Sequence, residues 1–188
     1  MSFATYWVTM LEGKNVDLKL VEKEDIPQLL EMQNKPEFWG QLLSPLQVSK
    51  AAAGKSFDEP DWPKRFFIQK KDGTKIGVIY SWPVSRSYVA ERGLGIGYLL
   101  LPGERGKGYC TEAVNLLLDY SFLTSPVVRV QAHTDVRNAA SQRVLEKAGF
   151  KKEGTIRKGY FERGEHTDNF IFSILREEWK APRMKGST

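Results

Sequence analysis

Pro102-Gly103-Glu104-Arg105-Gly106-Lys107-Gly108 is the stretch on which the fold turns. Three glycines and two cations separate residues 93–101, which read as a strand, from residues 108–122, whose apolar positions recur at helical spacing. On the C-terminal side, residues 127–134 read as a second strand and 138–148 as a second helix, with Gly149 just past its end as a C-terminal cap. Such a strand, helix, strand, helix run makes a parallel crossover, which is right-handed.

On the N-terminal side, residues 16–21 alternate as a half-buried strand, and residues 24–32 take helical spacing through Ile26, Leu29, Leu30 and Met32. A short helix is expected at 46–53, inside loop-like sequence that carries scattered aromatics and ends with Pro60 and Pro63. Residues 65–69 and 75–82 flank Asp72-Gly73, a hairpin turn pair, and strands at 151–158 and 169–175 close the chain as another hairpin. The expected class is α+β: a mixed, mostly antiparallel sheet with one central βαβ crossover and flanking helices. With 188 residues, 41% hydrophobic, residues 1–188 are read as one domain, and 181–188 as a small basic tail.

No run of about 18 apolar residues is present, so no membrane partner is predicted. The N-terminus lacks the charged, apolar and small-residue regions of a secretory signal. Cys110 is the single cysteine, so no internal disulfide can form, and a cytoplasmic location is expected. The net charge of +5 is spread along the chain and never condenses into a basic block, so no nucleic-acid partner is predicted.

The turn chemistry suits phosphate. Glycines let backbone N–H groups approach an anion, a helix N-terminus adds about half a positive charge, and Arg105 and Lys107 add full ones. A plain turn with a solvated basic rim explains the same residues equally well. A Walker A loop is excluded, because no Gly-Lys-Ser/Thr follows a first glycine at the required spacing. Gly93, Gly95 and Gly97 lie within a strand rather than at a strand-to-helix turn, which excludes the dinucleotide fingerprint. Their spacing leaves three bare positions on one strand face, open to a ligand or another backbone, or marking a weak strand.

Arg105-Gly106-Lys107-Gly108-Tyr109-Cys110 resembles the Arg/Gln-x-x-Gly-x-Gly/Ala signature of the GNAT acetyltransferase superfamily, with Cys110 where Gly or Ala is usual. Ile96-Gly97-Tyr98, Thr111-Glu112-Ala113, Asn138-Ala139-Ala140-Ser141, Glu146-Lys147-Ala148-Gly149-Phe150, Asp168 and Glu178-Trp179 are similar to the branch holding ribosomal-protein N-terminal (Rim-type) acetyltransferases. The resemblance spans 16–179 and is most specific over 96–150.

That resemblance implies acetyl-CoA as donor and a primary amine as acceptor, first a peptide or protein N-terminus, second a small molecule. A non-catalytic CoA-binding module is the rival. It implies a cofactor site at Leu99, Leu100, Arg105, Gly106, Lys107, Gly108, Tyr109, Cys110 and Asn138, with the strands at 93–101 and 127–134 splayed around the thioester. An N–H near Leu99 or Leu100 would then bind the developing negative charge. The amine attacks directly, without an enzyme nucleophile. Asn138 is either the helix N-cap or a pantetheine ligand. Ser141 is either the acid that protonates the leaving thiolate or a solvent-facing serine. The tyrosine that many members carry for that proton is replaced by Leu145, and the usual carboxylate base by Gly95. Glu91, His133 and Asp135 remain as candidate bases, although Glu91 and Asp135 also read as solvated loop carboxylates and His133 as a structural histidine. Phe38, Trp39, Trp62 and Tyr160 are candidates for the acceptor wall, although core packing accounts for each of them more simply. Cys110, beside a helix N-terminus, should show a lowered thiol pKa if exposed. The chain is expected as a monomer or homodimer, with no metal.

Overall fold

Alternating strands and one amphipathic crossover assemble into the computed structural model, which describes residues 10–57, 64–84 and 93–180. Eight strands form one sheet: β1 (Met10–Glu12), β2 (Val16–Leu20), β3 (Lys64–Lys70), β4 (Lys75–Pro83), β5 (Gly93–Leu100), β6 (Arg129–Asp135), β7 (Lys151–Glu162) and β8 (Glu165–Leu175). Their order is β1-β2-β3-β4-β5-β6-β8-β7. Only β5 and β6 pair in parallel, and every other neighbour is antiparallel. The expected mixed α+β sheet with one crossover is therefore present.

The helices are α1 (Ile26–Gln33), α2 (Pro36–Trp39), α3 (Lys50–Phe57), α4 (Tyr109–Thr124) and α5 (Ala139–Lys147). The helix expected at 46–53 instead begins at Lys50, because the segment before it is tied down: Val48 N donates to Asn34 Oδ1 at 3.1 Å. The closing strands run longer than expected and meet at a two-residue turn, where Arg163 (φ 50°) and Gly164 (φ 84°) both take the left-handed conformation that suits a tight hairpin. Glu91, Trp62 and the tail at 181–188 lie outside the described residues.

Crossover helix α4 sits on one face of the sheet. Ala113, Val114, Leu116, Leu117 and Phe122 enter the main core with Ile96, Val130, Leu145 and Phe172. Each fully buried side chain of this size contributes about 1.5–3 kcal/mol. Asp119, buried in the same helix, accepts a hydrogen bond from Trp179 Nε1 at 2.9 Å. On the opposite face a second core joins Val21, Leu29, Met32, Phe38, Phe67 and Val78, which seats α1 and α2 beside the far side of β5. The helices thus occupy opposite faces, and β5 runs between them.

Glu112 anchors the near end of α4. Its carboxylate accepts hydrogen bonds from the backbone N–H of Asn15 at 2.8 Å and from Asn15 Nδ2 at 2.9 Å, and also from the N–H of Lys14. The turn between β1 and β2 is thereby pinned to the start of the crossover helix.

Candidate active site

Strand alternation sorts β5 into two faces. Leu94, Ile96, Tyr98 and Leu100 point toward α4 and α5, whereas Leu99 joins the core beneath α1 and α2. Gly93, Gly95 and Gly97 share the latter face. They do not leave it bare. A Cβ on Gly95 would stand 2.5 Å from the Trp82 ring, and one on Gly97 would stand 2.7 Å from Tyr80. The two rings come from β4, directly opposite in register, and stack with centroids 5.5 Å apart. The expected open face is thus filled by the protein's own aromatics, and the carboxylate missing at Gly95 is replaced in space by indole.

The peptide groups of β5 also alternate. Leu101 N donates to Ile76 O at 2.9 Å and Val84 N to Gly93 O at 3.1 Å, so odd-numbered residues bond to β4 and even-numbered ones face β6. Pairing with β6 covers only Gly93, Leu94 and Gly95, and the two strands then part. The N–H groups of Tyr98 and Leu100 therefore point into the gap. Leu99, expected as an alternative to Leu100, instead turns its N–H into the β4 ladder opposite Val78.

The glycine turn closes the end of that gap. Gly106 (φ 78°) and Gly108 (φ 85°) both adopt the left-handed region, and no heavy atom comes within 4 Å of a Cβ placed on either. Backbone conformation, not crowding, therefore requires glycine here. Gly108 caps α4 without a side chain, and Glu112 N is the first to find a carbonyl, Gly108 O at 3.1 Å. The N–H groups of Tyr109, Cys110 and Thr111 precede any helical acceptor, which is the arrangement an anion needs. Together, the gap and these amides fit an acyl-CoA: diphosphate at the helix start, thioester between the strands.

Arg105 also has partners within the fold. Its Nε donates to Leu100 O at 3.0 Å and Nη2 to Phe38 O at 3.1 Å, so the guanidinium ties α2 to the end of β5. Lys107 pairs with Glu104 at 3.0 Å. Cys110 does not meet the condition of exposure on which a lowered pKa was expected. It packs against the main core, and burial pushes its thiol up to about 12, outweighing the nearby Arg105.

Asn138 is the N-cap of α5: its Oδ1 accepts from Ser141 N at 3.0 Å. The cap takes the side-chain oxygen, which leaves the amide NH2 as the part able to meet a pantetheine carbonyl. Ser141 is not a solvent-facing serine. Its Oγ lies 2.9 Å from the Tyr98 hydroxyl, which also approaches Ser141 O at 3.3 Å. Burial raises the Tyr98 pKa well above the ordinary tyrosine value, so this hydroxyl stays protonated. Tyr98 was not among the residues expected at the site. Its place on the helix-facing side of β5 is the signal, since a phenol turned into a core needs a polar partner.

Leu145 is fully buried in the main core, with 0% of its surface exposed. A tyrosine there has no exit for its hydroxyl. Leu145→Tyr is therefore expected to cost about 1–3 kcal/mol in urea unfolding, through overpacking, without raising acetyl transfer. A gain in turnover would refute this reading.

On the other side of the sheet, His133 Nδ1 lies 2.9 Å from the Tyr160 hydroxyl. Asp135 is no solvated loop carboxylate. It ends β6, is buried, and is gripped by Arg137 through Nη2 at 2.7 Å and Nε at 2.9 Å, contacts that hold its carboxyl below the usual range. The hairpin of β7 and β8 reaches back over this face. Arg163 Nη2 donates to Gly40 O at 2.6 Å and Nε to Leu43 O at 3.1 Å, while Ser44 N donates to Glu162 Oε2 at 2.6 Å. The segment following α2 is thus clasped between Arg105 and Arg163. Phe38 lies beneath it and Trp39 beside it, the indole Nε1 donating to Gln33 O at 2.6 Å.

Among the described residues no group of His, Cys, Asp and Glu is placed to hold a metal, and no helix is long and apolar enough to cross a membrane.

Comparison with known proteins agrees with this geometry. Residues 15–151 match the acetyltransferase (GNAT) domain family. The chain is 27% identical over 179 residues to the putative ribosomal N-acetyltransferase YdaF of Bacillus subtilis, covering 91% of this chain and 97% of the relative. It is 21% identical over 174 residues to spermidine N(1)-acetyltransferase of Escherichia coli, covering 92% of each. Mycobacterium smegmatis RimJ, solved in complex with CoA-disulfide, shares the fold with a TM-score of 0.77 at 21% identity, over 94% of this chain and 92% of that one. The chain belongs to the GNAT acetyltransferase family, and is an N-acetyltransferase that draws its acetyl group from acetyl-CoA.

Proposed function

We propose that the acceptor is the amino terminus of a peptide or protein. The observation that carries this reading is the character of the acceptor-side face. It is aromatic, with Trp39, Tyr80, Trp82 and Tyr160, and three of the described carboxylates near it already have partners: Asp135 and Glu165 on Arg137, and Glu162 on Ser44. A polyamine brings two or more positive charges and needs carboxylates free to receive them. A peptide terminus brings one amine and a side chain that aromatic walls accommodate.

In this reading the diphosphate rests on the amides at the start of α4, the Leu100 N–H faces the thioester oxygen, and the Ser141 hydroxyl, oriented by Tyr98, supplies the leaving thiolate's proton. Release of CoA thiol should be followed with acetyl-CoA and a panel of free peptides, amino-terminally blocked peptides, spermidine and spermine. Peptides are expected to exceed spermidine in kcat/KM by roughly tenfold or more, equivalent to about 1.4 kcal/mol, and blocked peptides to be silent. Turnover of spermidine with silence on every peptide would overturn the assignment.

A further inference from the structure

The geometry points to His133 as the group that takes the proton from the acceptor amine, an inference that rests on the proposed transfer to a peptide terminus. On β6, Val130 and Ala132 enter the main core, so alternation turns Gln131 and His133 toward the acceptor-side face. Extending the β5–β6 register beyond its last pair, Gly95 with Gln131, sets His133 level with Gly97, where the strands part. No side chain stands on Gly97. Tyr80 leans across it, its hydroxyl 2.7 Å from where a Cβ would be.

The imidazole is held by one nitrogen and not by the other. Nδ1 meets the Tyr160 hydroxyl at 2.9 Å, with the rings edge to face at 5.9 Å. Nε2 is buried and has no hydrogen-bond partner among the described residues. A buried ring nitrogen left this way costs free energy, and its retention beside the strand gap calls for a use outside the fold. The position of the usual carboxylate base is closed by the Trp82 ring, which stands 2.5 Å from a Cβ on Gly95. Asp135, two residues on, is committed to Arg137.

The surrounding groups favour a neutral ring. Tyr160 faces it from β7, and Tyr80 lies close enough to Tyr160 for the two hydroxyls to feel each other. Gly97 on β5 and Ile171, its partner in register on β8, carry no charge, and on its own strand the charge of Asp135 is met by Arg137. Burial lowers the His133 pKa below its ordinary 6.5, so the imidazole is unprotonated at neutral pH. A terminal ammonium, of pKa about 8, can then pass a proton to Nε2. The freed amine forms its bond to the acetyl carbon as the carbon–sulfur bond breaks. Its second proton balances the one that Ser141 gives to the thiolate, and His133 releases its own proton to solvent.

The test combines kcat at saturating peptide across pH with an NMR titration of the His133 imidazole. The wild-type acid limb should lie below pH 6.5 and agree with the imidazole pKa to within about one unit. His133→Gln should lower kcat roughly a hundredfold, abolish that limb and leave stabilisation by acetyl-CoA unchanged. Tyr160→Phe should move the imidazole pKa and the acid limb together. A limb that survives His133→Gln, or that does not follow the imidazole in the wild type and in Tyr160→Phe, overturns the inference. The last two comparisons decide the matter even if His133→Gln does not fold. A wild-type protein silent on all amines would instead refute the acceptor assignment, and the two failures are thereby told apart.

Discussion

Acetyl-CoA at about a hundred times its dissociation constant is expected to stabilise the protein by about 2.7 kcal/mol, and Gly108→Val to remove about half of that gain or more. For a chain of this length the stabilisation corresponds to a rise of about 5–10 °C in melting temperature. The argument rests on backbone conformation. Gly108 holds φ at 85°, a region that costs an L-residue about 1–2 kcal/mol and is worse for a β-branched one. The variant must either bear this strain or rotate the peptide. Rotation turns the first amides of α4 away from a common focus, and affinity for the cofactor should fall at least about tenfold, or 1.4 kcal/mol. Pantetheine, which lacks the diphosphate, should bind both proteins equally. Differential scanning fluorimetry with both ligands measures this, and a variant that keeps the full shift would place the diphosphate elsewhere.

Phe38→Ala is expected to have the largest effect on stability, about 3–5 kcal/mol in urea unfolding. Phe38 is 0% exposed and packs in the second core with Leu29, Met32, Phe67 and Val78. Truncation removes the ring and leaves a cavity under a four-residue helix too short to hold itself. A domain of ordinary stability, about 5–15 kcal/mol, would lose a substantial part of its margin. The damage should also reach the acceptor, because Trp39 is carried on the same helix. The KM for a peptide is expected to rise, and Phe38→Leu, which keeps most of the volume, should recover both properties. A loss below about 1 kcal/mol would mean that α2 is not docked in solution.

The βαβα centre was legible from the chain because it depends on local chemistry. Glycines at a turn, apolar spacing in residues 108–122 and a capping Gly149 act within a few residues of one another. The expected location of the cofactor followed from that centre and from ordered similarity around it. What lay beyond reading were contacts made in three dimensions. The Arg105 side chain gave no sign in the sequence that Phe38 O and Leu100 O would hold it. Cys110 sits at a helix start, and the core around it raises its pKa more than Arg105 lowers it. The glycines of β5 gave no hint that Tyr80 and Trp82 would lie over them, because a ring from the adjoining strand fills the space according to register alone. Short elements were the other loss: β1 and α2 are three and four residues long, too brief for any periodicity to show.

The clasp on the segment after α2 has a consequence for how this acceptor wall can diversify. Arg105 and Arg163 grip main-chain carbonyls, at Phe38 and Gly40, and carbonyls are the same whatever side chain a position carries. Substitutions along the segment can therefore reshape the acceptor side while both grips persist. Insertions or deletions between the two grips would break one or the other. Identity can thus change there more freely than length, so the chemistry of this segment can vary without disturbing the turn between β5 and α4.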